Sequence, residues 1–311
     1  MVTSKNIQKD SDLVSIIVPS YKRKKNIVFR AINSLLTQTY KNIEVILVDD
    51  NATLELAGYR SELEGMVENL AEERLVYIQN KQNLGGAGAR NEGIKRANGN
   101  YVTFLDDDDL YLPQKVEKQL AFMKEKELDM SFSKLTIYNE NDKLIDVRCH
   151  DDIENFDKEY LRRYHLTKQI TGTPTFMMKK EVLDAVGGFE VVVMGQEFYL
   201  MDKILKTDYK IGYYPDCYIK AYRTSAEAIS TGKNKIIGEK ALYAYKKSLF
   251  NTLSFKERRY VRCRHYAVMA IAYKRNKKYL RMFLNLCVSL FCAPLLSVKE
   301  MIAFFRRRKE C

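Results

Sequence analysis

The stretch "GNYVTFLDDDDLYLP", residues 99–113, runs an apolar segment, Tyr101 to Leu105, straight into four carboxylates, Asp106 to Asp109. A short apolar run bounded by turn residues predicts a buried strand. Adjacent carboxylates repel one another. Four of them at the end of a core element need either a cation to share or an open, solvated turn.

The segments upstream place this strand in a pattern. "VSIIVPSYKR" (14–23) is a β-branched run stopped by Pro19 and predicts a first strand. "NIVFRAINSLLTQTY" (26–40) carries apolar residues at 28, 29, 32, 35 and 36, a helical stripe. "NIEVILVDD" (42–50) predicts a second strand, again ending in carboxylates; a weaker helix over 54–71 and a strand over 74–80 follow. "GGAGARNEGIKRA" (85–97) reads as a loop opening a helix, and "LPQKVEKQLAFMKEK" (112–126) starts another helix with Pro113 near its first turn. Strand and helix in alternation predict a mostly parallel sheet flanked by helices. In such sheets ligands sit beyond the carboxyl ends of the strands. Asp49–Asp50 and Asp106–Asp109 both fall there, so the two carboxylate clusters are expected to border one crevice.

Downstream the pattern loosens. Strands are expected near 129–138 and 144–148, and a polar helix over 152–166. Residues 175–189 read as strand, helix and a glycine stop at Gly187–Gly188, and residues 195–215 as helix then strand. No internal repeat or low-complexity linker appears. Near residue 230 the chain turns helical and increasingly basic.

Charge follows the same division. The 311 residues carry 52 Lys+Arg and 40 Asp+Glu, yet residues 251–311 hold 15 of the former and 3 of the latter, so residues 1–250 balance at 37 each. The excess is an appended basic segment, and the rest of the chain needs no polyanionic partner. The opening residues, MVTSKNIQKDSD, are polar and predict no secretory signal. Six cysteines without a CxxC pair predict reduced thiols and no structural zinc.

"NLGGAGARNEGIK" matches neither common nucleotide motif. Gly88 and Gly93 have phosphate-loop spacing, but Ile94 and Lys95 follow; Gly86 and Gly88 begin a dinucleotide fingerprint, but Asn91 stands at its third glycine. Glycines before a helix still allow close backbone approach, and a helix N-terminus favours anions. Arg90 would neutralise a phosphate or pin an aspartate; the bland alternative is a tight turn with a surface arginine.

Taken in order, "VSIIVPSYKR", "SLLTQTYKNIEVILVDDNAT", "NLGGAGARNEGIKRANGNYVTFLDDDDLYLP", "GGFE" and "GQEFYLMDKI" resemble the family 2 glycosyltransferases, inverting enzymes that use nucleotide sugars. The resemblance covers most of residues 14–222. It implies a GT-A fold: a Rossmann-like, mostly parallel central sheet flanked by helices, here with a basic helical extension. The implied organisation is a flexible tail (1–12), a catalytic domain (13–230, its nucleotide half 13–110 and its acceptor half 111–230), and a helical region (231–311).

By the resemblance, Pro19, Ser20 and Tyr21 form the turn that touches the base, and Asp50 reads it. Gly86 and Arg90 border the donor phosphates. The family's Asp-x-Asp-Asp motif matches Asp106, Asp107 and Asp108, with Asp106 on the ribose and Asp108 holding a divalent cation, Mn²⁺ or Mg²⁺, on the diphosphate. Asp107 stands where the family usually has a small or polar residue, which leaves the register open by one. A hard cation held by one or two carboxylates and the phosphates would stabilise the charge that builds on a departing diphosphate. The resemblance also implies a catalytic base at the start of a later helix. There Glu197 is the candidate; Gln196 replaces the usual acid, and Glu190 is the fallback. "TGTPTF" (171–176) aligns beside the acceptor site. Where many relatives carry a histidine after Tyr-Arg, Thr224 and Ser225 stand, so no histidine ligand is expected and His150, His165 and His265 are read as core or surface residues.

The C-terminal region has 17 uncharged residues between Arg281 and Lys299, interrupted by Pro294. This is marginal for a bilayer span. A basic, amphipathic hairpin on an anionic membrane face explains both charge and apolarity; docking on the catalytic domain, or on a second copy as a homo-oligomer, is the alternative. No nucleic-acid module is visible. The expectation is a cytoplasmic enzyme, peripheral on the inner face of the cell membrane, that moves a sugar, UDP-linked, to a hydroxyl of a glycan or lipid-linked glycan. Two other readings stay open. A sugar nucleotidyltransferase would carry glycines after strand one, and "VPSYKRKKN" has none; a non-catalytic glycan-binding protein is kept alive by Gln196.

Overall fold

Every apolar run upstream of residue 105 forms a strand in the computed structural model, which describes residues 12–223 and 233–294. The described chain divides into two units: 12–134, 172–189 and 209–220 form the first, and 135–171, 190–208 and the remainder from 221 form the second. The expected tail (1–12) lies outside the described residues except for Asp12, as do Thr224, Ser225 and 295–311.

The first unit is built on β1 (Val14–Ser20), α1 (Lys25–Leu36), β2 (Ile43–Asp49), α2 (Ala57–Leu70), β3 (Leu75–Gln79), α3 (Gly85–Arg96) and β4 (Tyr101–Phe104). After these come β5 (Leu110–Tyr111), α4 (Lys115–Glu125) and β6 (Met130–Ser133). Its later segments supply β9 (Met177–Lys179), α6 (Lys180–Val186), β10 (Ile211–Tyr214) and the start of β11 (Ile219–Tyr222); β7, β8 and α5 belong to the second unit. The seven-stranded sheet has the order β10-β6-β9-β4-β1-β2-β3. Strands β4, β1, β2 and β3 are mutually parallel, with Ile17 opposite both Ile46 and Phe104. One strand of this mostly parallel sheet runs the other way: β9 inserts antiparallel between β4 and β6. A strand this short, returning through the turn at Gly172, needs no crossover helix and so can run in the reverse sense.

The core is the apolar seam the pattern implied. Every residue of β2 is buried, as is each of β1 except Pro19. Helix α3 lies close on this layer because Gly93 has no side chain: an added Cβ would stand 2.4 Å from Ile17 Cγ2. Beside it, Glu44 accepts from Ser15 Oγ (2.5 Å) and from the backbone of Asn98 (2.6 Å) and Gly99 (3.2 Å), so its buried carboxylate is satisfied. Under β4, Lys115 is fully enclosed, donating to Thr103 Oγ1 (2.6 Å) and Tyr111 Oη (2.8 Å). Burial with no carboxylate partner pushes its ammonium well below the usual lysine range.

The second unit contains the hairpin β7 (Leu135–Tyr138) and β8 (Leu144–Arg148), then α5 (Lys158–Lys168) and α7 (Gln196–Ile204). It ends in three helices, α8 (Lys233–Ser248), α9 (Phe255–Arg275) and α10 (Tyr279–Cys292). Leu166, Phe198, Leu242, Phe250, Leu253 and Val261 form its core. Helix α9 starts at a capping box in which Ser254 and Glu257 bond reciprocally. His165 stacks on Phe198 at 4.2 Å. Ile170 N–H donates to its Nδ1 (3.1 Å), so Nε2 carries the proton and donates to Phe198 O (3.0 Å). All three histidines are buried, as core residues. Among the described residues no helix is long and apolar enough to cross a membrane. Helix α10 exposes Leu280, Phe283, Leu284 and Phe291 and buries only Ser289, against Cys263 of α9.

Two outcomes follow from this packing. Gly93→Ala pushes α3 off Ile17 and lowers stability by about 1–3 kcal/mol in urea unfolding, whereas Gly58→Ala, with open space at its Cβ, does not. Burial drives His165 down from 6.5 to about 3 and His150 down to about 4. The unfolded chain therefore binds protons that the native one refuses, and these two groups make stability fall as pH drops from 6.5 toward 4. Replacing His165 with Phe flattens the dependence of Tm on pH across that window.

Candidate active site

The carboxyl ends of β1, β2 and β4 carry the predicted residues of the first unit side by side. β1 lies between β2 and β4, the position where the connections of such a sheet change direction and ligands bind. Asp50 N–H donates to Ser20 O (2.9 Å), which ties the ends of β2 and β1 together.

Asp50 itself is buried and faces the start of α3. Its Oδ1 accepts from Asn80 Nδ2 (2.8 Å) and Leu84 N (2.9 Å), and its Oδ2 from Gly85 N (2.8 Å). One carboxylate thus satisfies two of the orphan amides of α3 and complements its positive end. This corrects the expectation of a glycine loop: Gly85, Gly86 and Gly88 are the first turn of the helix itself. Glycine is a poor helix former, and the Asp50 cap offsets that cost. Gly85, at φ 67°, sits where a side chain would be strained, and a Cβ on Gly88 would stand 2.6 Å from Leu84 Cβ. Neighbouring Asp49 is equally committed, accepting from Asn51 N (2.7 Å), Arg60 Nε (3.0 Å) and Tyr77 Oη (2.6 Å). Burial, and then that bond to Asp49, push the Tyr77 phenol up.

The four aspartates alternate. Asp107 and Asp109 are buried, while Asp106 and Asp108 are partly exposed. Asp107 accepts from Ser20 Oγ (2.9 Å) and Arg23 Nε (3.0 Å). Burial raises its carboxyl to about 6, opposed by the Arg23 charge. Arg23 also pairs with Asp108 Oδ2 (2.9 Å), and Arg30 donates to Asp108 O (2.8 Å). Burial pushes Asp108 up as well. Asp106 is bonded by Arg90, which is itself buried, donates to Gly86 O (3.1 Å), and keeps a buried Nε without a partner among the described residues. Three arginines therefore stand among the four carboxylates. Arg90 was readable from the sequence; Arg23 and Arg30 were not, because a basic run after a strand looks like ordinary solvated surface.

Pro19 lies within β1, and Tyr21, at 39% exposure, projects from its end with Lys22 Nζ 5.2 Å from its ring centroid. Glu197 lies in the second unit, in the first turn of α7 after Gly195 at φ 81°. Beside it Gln196 Oε1 is buried with no partner among the described residues. Arg148 and Lys235, both in that unit, feel the Glu197 charge, and burial pushes Lys235 below its ordinary range. Glu190, the fallback, lies in the same unit, where its charge reaches Tyr199 and Lys203.

Among the described residues no group of three or more His, Cys, Asp or Glu forms a metal cage. Asp106 and Asp108 nevertheless suit a hard cation that takes one or two carboxylates and completes its shell from phosphate oxygens and water.

If the Asp50 cap organises this end of the sheet, its removal is measurable. Asp50→Ala leaves the Leu84 and Gly85 amides unpaired and costs about 1–3 kcal/mol in chemical denaturation. Hydrogen exchange at the start of α3 accelerates more than in β2.

Comparison with known proteins agrees with this geometry. The family model described as "Glycosyl transferase family 2" matches residues 15–187. An uncharacterised glycosyltransferase of Methanocaldococcus jannaschii is 26% identical over 68% of this chain and 71% of its own length. The Escherichia coli enzyme WfaP, a UDP-Glc:alpha-D-GlcNAc-diphosphoundecaprenol beta-1,3-glucosyltransferase, is 37% identical over 39% of this chain and 45% of its length. Several curated relatives are longer proteins, of which the chain spans 19–21%. The crystal structure of S. aureus TarS 1-349 in complex with UDP-GlcNAc superposes with a TM-score of 0.58 at 17% identity, over 88% of this chain and 90% of that one, a likeness of GT-A fold. With the family's model matching more than half its length, and its strand-end carboxylates at the sheet's switch point, the chain belongs to glycosyltransferase family 2.

Proposed function

We propose that this glycosyltransferase moves a sugar from a UDP-sugar, with inversion and with a divalent cation, to a hydroxyl of a phosphate-linked glycan. The observation that carries the reading is the outward pair Asp106 and Asp108 beside the N-terminus of α3, at the carboxyl ends of β1, β2 and β4. That N-terminus and Arg90 favour a diphosphate. Tyr21 offers a face on which a base stacks. The names of two similar proteins, one acting on UDP-Glc and one crystallised with UDP-GlcNAc, support uridine as the nucleoside.

When bound, a Mn²⁺ or Mg²⁺ ion neutralises charge on the departing diphosphate. Asp108 would hold it, with Asp106 on the ribose side. Arg23, paired with both Asp107 and Asp108, would hold Asp108 beside the phosphates. Glu197 is the base that accepts the proton of the acceptor hydroxyl as its oxygen attacks the anomeric carbon from the face opposite the leaving group. Gln196 Oε1 supports this placing of the acceptor, since a buried carbonyl lacking a donor suits a sugar hydroxyl. The basic α9 and the exposed apolar face of α10 would hold the protein on an anionic membrane surface, where a lipid-linked acceptor resides.

Nucleotide release from a panel of UDP-, GDP- and dTDP-sugars, with Mn²⁺ or with chelator, tests the reading. Metal-dependent release from a UDP-sugar is expected, with a loss of at least about 10²-fold in Asp108→Ala. Glu197→Gln lowers transfer by about 10²–10⁴-fold while nucleotide binding persists. Transfer at the parent rate by Glu197→Ala removes the base assignment, and failure to bind any nucleotide removes the whole reading.

A further inference from the structure

A cavity of about 170 Å³ lies inside the second unit, walled chiefly by α8 and α9. It exceeds the ~150 Å³ that accommodates a benzene ring, but its lining is ionic. Lys235, Glu239, Tyr243 and Lys246 fall at i, i+4, i+8 and i+11, one face of α8, and Arg264 and His265 face them from α9. Glu239 is the one carboxylate among the described residues of the lining, and it is taken by His265 Nδ1 at 3.0 Å. The imidazole is clamped in turn by a stack on Tyr243 at 3.9 Å.

Lys246 is less well matched. It is 5% exposed, stands 5.0 Å from the Phe198 ring centroid and makes no salt bridge among the described residues. Arg264, which also lines the cavity, donates from Nη1 to Tyr260 Oη (3.3 Å). Burial pushes the Lys246 ammonium down to about 7, and Lys235 is also lowered. Buried positive charge without a counter-charge is costly, and an anion in the cavity would remove the cost.

We infer that this cavity seats a phosphate or diphosphate group, held by Lys235, Lys246 and Arg264, and that the group belongs to the acceptor. The link to the acceptor rests on the transfer reading above. Lys235 lies in the field of Glu197, the candidate base, and Arg148 lies in the fields of both Glu197 and Arg264. The cavity's cations and the base thus share one neighbourhood within the unit. A phosphate anchored there holds the acceptor through a part that does not react, so its binding energy positions the hydroxyl at Glu197.

The test is calorimetric titration of the metal-free full chain with inorganic pyrophosphate, beside Lys246→Met, Arg264→Gln and the double variant. Methionine keeps the length and apolar stem of Lys246 and lowers the burial cost, so Lys246→Met folds at least as well, as circular dichroism would verify. One saturable site is expected, weakened about tenfold or more by each single change and lost in the double variant. No binding by the parent chain, or equal binding by all four proteins, overturns the site. A short polyprenyl diphosphate and a glycerol-phosphate oligomer then compete with pyrophosphate. Displacement by the first alone assigns a lipid diphosphate, by the second alone a phosphate polymer, and by neither overturns the acceptor role. Donor hydrolysis is scored separately, so pyrophosphate binding without nucleotide release refutes the transfer reading and leaves the anion site standing.

Discussion

The bonds of Asp50 are the constraint on which the nucleotide end of this protein depends. A strand end, a loop residue and a helix start are joined through one buried carboxylate, while the Asp50 amide is joined to the neighbouring strand. Three glycines at the start of α3 would otherwise leave that turn poorly specified. The cap makes a rigid N-terminus out of a flexible sequence, and the close approach at Gly93 presses the helix onto β1. A site built on such an element holds its dipole and its amides in fixed directions.

The aspartate cluster solves a different electrostatic problem. Four carboxylates in a row are tolerable because buried and partly exposed members alternate and because Arg23 and Arg90 pair with them. Asp107 is buried under Ser20 and Arg23, where it supports the turn. Asp106 and Asp108 retain solvent access. The cluster is therefore both part of the core's edge and an outward pair, and the arginines offset much of its charge.

The second unit carries the opposite excess. Its cations crowd around α8 and α9, where burial lowers Lys235 and Lys246 together. Glu239 and Glu197 offset part of this field. The chain thus has one strongly charged environment in each unit.

The sequence by itself determined the alternation of strands and helices, the parallel order of the first four strands and the placing of both carboxylate clusters at strand ends. Those features rest on local periodicity, which one sequence displays in full. It also singled out Arg90 and Asp106–Asp109, because residue type and adjacency carried the chemistry. Tertiary structure decided what adjacency cannot encode. Asp50 caps α3 from 34 and 35 residues away, and Arg23 reaches Asp107 across 84. The reversed β9, the buried Lys115 and the cationic face of α8 likewise arise from residues distant in the chain. Hydrogen bonds and burial act through space, so their partners become legible only once the chain has folded.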